Sequence, residues 1–367
     1  MPKPCPVLLM TRSLGLGGTE RQLTEIAKAL DRSQFEPHVG CFDAEGFRAE
    51  ELRAAGVPVV PFHVPSFLSP TVITGAAALG RYVREHAIQI VHSFDVPLNL
   101  FGVPAARLGR TPHVISSQRA FRALTPGLRR YLLRFTDQLV DGIVVNSEAV
   151  RRDLIDHDHV PPRLIHLCYN GIDTALFPVG ARSCGRPAVI GVICALRPEK
   201  SVETLIEAFA RLGPATDTRL RIVGSGSALG QLQKLAADLA LGERCVFEPA
   251  TGQVAETLRE IDIFVLPSIS ESFSNSLMEA MACGCAVVAS RVGGNPELIA
   301  DGETGLLFSA RDSAALARSL DRLLRDGDLR CRLAAAGARR IREQFTMAKA
   351  AQTMAEIYRS VLDGTCD

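Results

Sequence analysis

Short apolar runs and amphipathic stretches alternate along almost the whole chain. In the first half the apolar runs fall near Val7–Met10, His38–Phe42, Val57–Phe62, Ile88–Phe94, His113–Gln118, Gly142–Asn146 and Ile165–Cys168. In the second half they fall near Val189–Leu196, Arg219–Val223, Cys245–Glu248, Ile263–Leu266, Ala286–Ala289 and Gly305–Phe308. Runs this short, largely apolar and bounded by turn residues, predict strands buried on both faces. The gaps carry helical periodicity, as in Thr19–Leu30 and Pro97–Leu108. Strands alternating with helices predict parallel sheets, so the expected fold class is α/β with two doubly wound, Rossmann-like domains. The stretch Phe177–Pro187 is rich in Gly and Pro and predicts a linker, which sets the domains at residues 1–176 and 187–345. Three helical runs close the chain: Ser313–Arg325, Leu329–Phe345 and Met347–Leu362. Residues 346–367 therefore stand as an extra terminal helix after the second sheet is complete.

Composition narrows the class. A chain of 367 residues is long enough for two domains with a core each. Its 41 basic and 40 acidic side chains nearly cancel, so global charge does not suggest a nucleic-acid partner. No apolar run approaches the roughly 20 residues needed to span a bilayer. The opening Met1-Pro-Lys-Pro-Cys-Pro6 lacks a secretory pattern and leads into a strand, which predicts a cytoplasmic protein. Ten cysteines are scattered, several in apolar strands (Cys41, Cys168, Cys194, Cys245), as expected of buried free thiols. Cys283-Gly-Cys285 has no second pair at zinc spacing. Asp156-His-Asp158 and Asp326-Gly-Asp328 sit in a loop and between helices, not after strands, so no metal site is expected.

The densest chemistry lies at Glu271-Ser-Phe-Ser-Asn-Ser-Leu-Met-Glu279, two carboxylates eight positions apart across a predicted strand-to-helix junction. Ser274 or Asn275 can cap the helix, and the backbone amides near Ser276 and Leu277 open it. Carboxylates accept hydrogen bonds from sugar hydroxyls, and a helix start holds a diphosphate. Two further glycine loops follow strands: Gly15-Leu-Gly17-Gly18, which is not the dinucleotide fingerprint, and Gly224-Ser-Gly226.

The Glu-x7-Glu spacing, its flanks Ser268-Ile-Ser-Glu271 and Glu279–Val288, and the segments Val292-Gly-Gly-Asn-Pro-Glu297 and Asp301-Gly-Glu-Thr-Gly305 resemble glycosyltransferase family 4, the retaining GT-B enzymes. The resemblance implies a cleft between an amino-terminal acceptor domain and a carboxy-terminal nucleotide-sugar domain, with the last helix crossing back to the first domain. It implies a hexosyl- or N-acetylhexosaminyl-transferase without cofactor or metal. The donor would be a nucleotide diphosphate sugar, UDP favoured over GDP or ADP. Glu271 would contact the donor sugar and Glu279 the ribose. Ser274, Asn275, Ser276 and Leu277 would meet the diphosphate, with Gly17, Gly18 and Gly224 contributing backbone approach. In Ala195-Leu-Arg-Pro-Glu-Lys200, Lys200 takes the family's Lys position, which implies a catalytic cation on the departing diphosphate; Ala195 stands where the family has Arg, and Arg197, two residues on, is the candidate substitute. His92 and Arg119 are the acceptor-side candidates, Arg119 standing near a position where many relatives carry His. Asn170-Gly-Ile-Asp173 resembles the family's domain junction. Another GT-B chemistry on the same donor, or a catalytically weak nucleotide-sugar-binding partner protein, remain alternatives.

Arg119, Arg122, Arg129, Arg130 and Arg134 precede the next acid at Asp137, with Leu124, Leu128, Tyr131, Leu132, Leu133 and Phe135 interleaved. Such a segment suits either peripheral contact with an anionic membrane or a solvated helix face. The acceptor class stays open among glycan, lipid-linked and small-molecule acceptors.

Overall fold

The computed structural model describes residues 3–125, 127–180, 188–213 and 217–364, so much of the expected Phe177–Pro187 linker lies outside the described residues. The chain forms two compact units, Met1–Gly171 with Met347–Asp367, and Ile172–Thr346.

The first unit holds a parallel sheet of β1 (Cys5–Thr11), β2 (Phe35–Cys41), β3 (Val59–Pro61), β4 (Ile90–Ser93), β5 (His113–Gln118), β6 (Gly142–Val145) and β7 (Ile165–Leu167). Its strand order is β3-β2-β1-β4-β5-β6-β7. The helices between strands are α1 (Gly18–Ala29), α2 (Phe47–Ala54), α3 (Thr71–Glu85), α4 (Val96–Leu108), α5 (Leu128–Thr136) and α6 (Glu148–Asp158).

Alternation along β1 shows why the sheet must be covered twice. Val7 and Leu9 enter one apolar cluster, while Leu8 and Met10 enter another. Both sets are fully buried, as a central parallel strand requires. The expected strand Val57–Phe62 shrinks to Val59–Pro61 at the sheet edge. Pro58 and Pro61 lack the N–H a longer ladder would need, and the Val57 N–H is spent on Leu52 O at the end of α2.

The second unit holds β8 (Val189–Ile193), β9 (Arg219–Val223), β10 (Cys245–Glu248), β11 (Ile263–Leu266), β12 (Ala286–Ser290) and β13 (Leu306–Phe308), ordered β10-β9-β8-β11-β12-β13 and parallel. Its helices are α7 (Val202–Arg211), α8 (Leu229–Asp238), α9 (Val254–Arg259), α10 (Asn275–Ala282), α11 (Asn295–Leu298), α12 (Ser313–Arg325) and α13 (Gly327–Gln344). Leu316, Leu320, Leu323 and Leu333 keep α12 and α13 on this unit's core.

The last helix, α14 (Met347–Asp363), belongs to the first unit. Its apolar stripe of Met354, Ile357, Tyr358 and Val361 joins the cluster of Val7, Leu9 and Phe35. Tyr358 meets the edge of the Phe35 ring at 5.7 Å.

Candidate functional site

In a doubly wound sheet, ligands bind beyond the carboxyl ends of the strands, where the strand order reverses. In the second unit that point lies between β8 and β11. Lys200 closes a short 3-10 turn after β8, and Glu271 stands in the loop after β11. The two meet there: Lys200 Nζ donates to Glu271 Oε1 at 2.6 Å. Ser268 Oγ donates to the same oxygen at 2.7 Å. Backbone contacts tie the loops together, since Ile269 N donates to Glu199 O at 2.9 Å and Gly294 N to Glu271 O at 3.3 Å. Ser290 Oγ, at the end of β12, donates to Ser268 O.

The Glu271 loop runs into α10. Ser274 is its N-cap and accepts from Leu277 N at 3.3 Å, with Ser276 Oγ 3.2 Å from the same hydroxyl. The Leu277 amide is thus held by the cap, and its side chain is buried. Asn275 and Ser276 begin the helix, and Glu279 is buried on its inner face.

Arg197 behaves differently. Its side chain is 60% exposed and pairs with Glu199 at 3.5 Å, apart from the Lys200–Glu271 pair. Gly224 also has a role other than the expected one. Its φ is 153°, a Cβ there would fall 1.9 Å from Cys194 O, and its amide donates to Glu248 O at 3.0 Å. The glycine allows one loop to cross the end of β8 closely, and its N–H is not offered to a ligand. Beside this crossing, burial pushes the Cys194 thiol up to about 12 although Lys200 draws it down. The thiol therefore stays protonated at neutral pH.

The first unit has its own reversal point between β1 and β4. Gly17 caps α1 there, and Gly18 is its first residue. A Cβ on Gly17 would lie 2.1 Å from Glu20 Oε2, because the Glu20 side chain folds back over the helix start and accepts from Ser13 Oγ at 3.3 Å. An anion approaching these amides must therefore displace a carboxylate. Asp95, at the end of β4, braces the loop across the reversal. It accepts from Arg12 N at 2.7 Å, Thr11 Oγ1 at 3.1 Å and Leu98 N at 2.9 Å. Burial raises its pKa while these bonds pull it down.

His92 is corrected by its surroundings. It has no exposed surface, and its ring nitrogens lie 2.8 Å from Tyr358 OH and 2.9 Å from Ser117 Oγ. Burial, helped by the charge of Arg119, pushes its pKa down to about 3. It is a neutral core residue that fastens α14, not a side chain poised to touch an acceptor. Arg119 donates to Asn170 Oδ1 and lies over the Phe94 ring at 5.6 Å, and burial lowers its pKa to about 10.

The arginine-rich segment is also less uniform than its sequence. Arg122 is buried and bonds both oxygens of Asp137 at 2.7 Å. With Arg119 bound to Asn170, two of the five expected surface cations point inward.

Sequence reasoning passed over Ser290 and the bracing role of Asp95. Asp95 stood immediately before Val-Pro at a helix start, a legible N-cap signal; nothing marks Ser290. Among the described residues no group of three or more His, Cys, Asp or Glu is placed to hold a metal ion.

Comparison with known proteins places both halves. A sequence profile described as "Glycosyltransferase Family 4" matches residues 16–176, and one described as "Glycosyl transferases group 1" matches residues 181–340. The chain is 31% identical over 324 residues to the alpha-maltose-1-phosphate synthase of Mycolicibacterium smegmatis, covering 78% of this chain and 82% of that one. It is 33% identical over 238 residues to a D-inositol 3-phosphate glycosyltransferase of Stackebrandtia nassauensis, covering 59% of this chain and 54% of that one. The chain thus spans about half the length of several curated relatives that it matches. Among solved structures, Anabaena Alr3699/HepE in complex with UDP and glucose superposes with a TM-score of 0.84 at 23% identity, covering 96% of this chain and 99% of that one. The sucrose-phosphate synthase of Thermosynechococcus elongatus superposes with a TM-score of 0.82 at 20% identity, covering 98% and 100%. At these identities the likeness establishes the fold, which is GT-B.

Proposed function

We propose that this chain, which belongs to glycosyltransferase family 4, transfers a sugar from a nucleotide diphosphate sugar with retention at the anomeric carbon. The observation that carries the reading is the Lys200–Glu271 pair beside the capped start of α10, at the strand-order reversal of the second unit. Lys200 and the leading amides of α10 meet charge that grows on the departing diphosphate, without a metal ion. Glu271 holds the donor sugar, and Glu279 the ribose. The C1–O bond to the phosphate breaks, and a C1–O bond to the acceptor forms on the same face. The departing phosphate oxygen takes the acceptor proton, so no strong side-chain base is needed, consistent with the burial of His92.

The second unit would bind the donor and the first unit, through Arg119, the acceptor, with Gly17 and Gly18 kept as donor-side candidates. UDP-sugars are favoured because a structural neighbour was solved with UDP-glucose. Glycan, lipid-linked and small-molecule acceptors fit the family, in polysaccharide, glycolipid or other glycoconjugate synthesis.

A second reading, a nucleotide-sugar-binding protein with little turnover, is favoured by Ala195 and by the exposed, Glu199-paired Arg197. Slow hydrolysis of UDP-, GDP- and ADP-sugars without acceptor, with EDTA present throughout, separates the two. The enzyme should release nucleoside diphosphate from one of them, and Lys200→Ala should lower that rate at least about tenfold, ~1.4 kcal/mol of transition-state stabilisation. A chain that binds a donor but releases nothing is the binding protein. Release that stops in EDTA and returns with Mn²⁺ would overturn the metal-free mechanism.

A further inference from the structure

Helix α5 carries its apolar side outward. Leu128, Tyr131, Leu132 and Phe135 recur at helical spacing and are between 43% and 71% exposed. On an ordinary surface helix that stripe would face the core. Here charge helps hold the inner side. Arg130 Nε and Arg134 Nε both donate to Asp158 Oδ1, at 3.3 and 3.0 Å, and the Asp158 side chain is wholly buried at the end of α6. Leu133 and Thr136 fill the remaining contact. Asp158 therefore pins the arginine side of the helix and turns the apolar stripe to solvent.

Along the segment itself the charge is of one sign. No Asp or Glu lies between Arg119 and Thr136 in the chain. The carboxylates that the segment's arginines bind, Asp137 and Asp158, are buried, whereas Asp156 of α6 is exposed. Arg129 is exposed, and Arg130 and Arg134 keep 34% and 41% of their side chains in solvent, so cations flank the stripe.

We propose that α5 is a docking surface for an anionic lipid bilayer, with Leu128, Tyr131, Leu132 and Phe135 among the acyl chains and Arg129, Arg130 and Arg134 at the level of the phosphates. An apolar strip bordered by cations matches hydrocarbon bordered by phosphate. Tyrosine is the ring suited to that boundary. A second copy of this chain fits less well, because a two-fold contact through α5 would set one row of arginines against another. The anchor is the apolar stripe, not the whole Arg119–Arg134 series. The inference stands independently of the transfer chemistry.

The chain contains no tryptophan, so Tyr131→Trp supplies a single fluorescent reporter. Its emission should shift to the blue with vesicles of phosphatidylcholine and phosphatidylglycerol, and less with phosphatidylcholine alone. The unsubstituted protein should sediment with the anionic vesicles. Leu128→Glu combined with Leu132→Glu should lower that partition at least about tenfold, with an unchanged thermal midpoint. If the double variant unfolds, Leu128→Gln is read in its place. Absence of both emission shift and sedimentation overturns the proposal, as does sedimentation that ignores these substitutions. A lipid-free dimer in light scattering that Leu128→Gln converts to monomer assigns the stripe to a second copy and also overturns it.

Discussion

Lys200 shares Glu271 Oε1 with Ser268, so a phosphate that recruits this lysine must outcompete a carboxylate at 2.6 Å. In the proposed reaction Ser268 would keep Glu271 in place while the lysine leaves, letting one carboxylate serve first the cation and then a sugar hydroxyl. Arg197 has no such coupling, being exposed and paired with its neighbour Glu199. Arg197→Ala should therefore leave turnover within about threefold, under ~0.7 kcal/mol, while Lys200→Ala costs at least about tenfold. Equal losses in steady-state kinetics would show that Arg197 swings onto the diphosphate. Glu279→Ala should weaken nucleoside diphosphate binding by roughly 1.5–3 kcal/mol, the worth of a charge-assisted hydrogen bond. Unchanged affinity in calorimetry would remove the ribose role.

At the scale of elements, the fastening of α14 has a pH dependence. His92 is held neutral with its pKa near 3, whereas an unfolded histidine titrates near 6.5. Between those values the unfolded chain binds the extra proton, so stability is full above about pH 6.5 and falls as pH drops toward 3. His38 and His166, also depressed mainly by burial, act in the same direction. Urea denaturation should show a steeper loss from pH 7 to pH 5 for the native protein than for His92→Gln, by up to about 1.4 kcal/mol per pH unit. Parallel curves would mean that His92 accepts its proton without unfolding. The elements themselves were largely legible. Buried parallel strands are largely apolar, and the Ser274 cap precedes its helix in plain view. Side-chain direction was not. The arginines of the Arg119–Arg134 segment read alike in sequence, yet Arg122 faces Asp137 and Arg130 faces Asp158, both carboxylates supplied from further along the chain. Nothing in the spacing around His92 indicated that Tyr358 would close over it. Gly224 and Gly17 looked equivalent as loop glycines, but one clears a neighbouring backbone and the other a neighbouring carboxylate.

At the scale of the whole molecule, the first unit is assembled from both ends of the chain, with the second unit encoded between them. A chain ending at residue 346 would lack Met354, Ile357 and Tyr358 over Phe35 and His92. It should bind the dye 1-anilinonaphthalene-8-sulfonate and aggregate on mild heating. A truncated chain that melts like the full one would show that α14 contributes little. During synthesis the order of completion is then inverted. Translation proceeds at about 5–20 residues per second, and domains commonly fold from the amino terminus onward. Here the ribosome can finish everything the second unit needs while the first still waits for its last helix. Early in translation the nascent chain has an apolar face that α14 covers only once its seventeen residues have been made, so this interval is when a chaperone would be needed most.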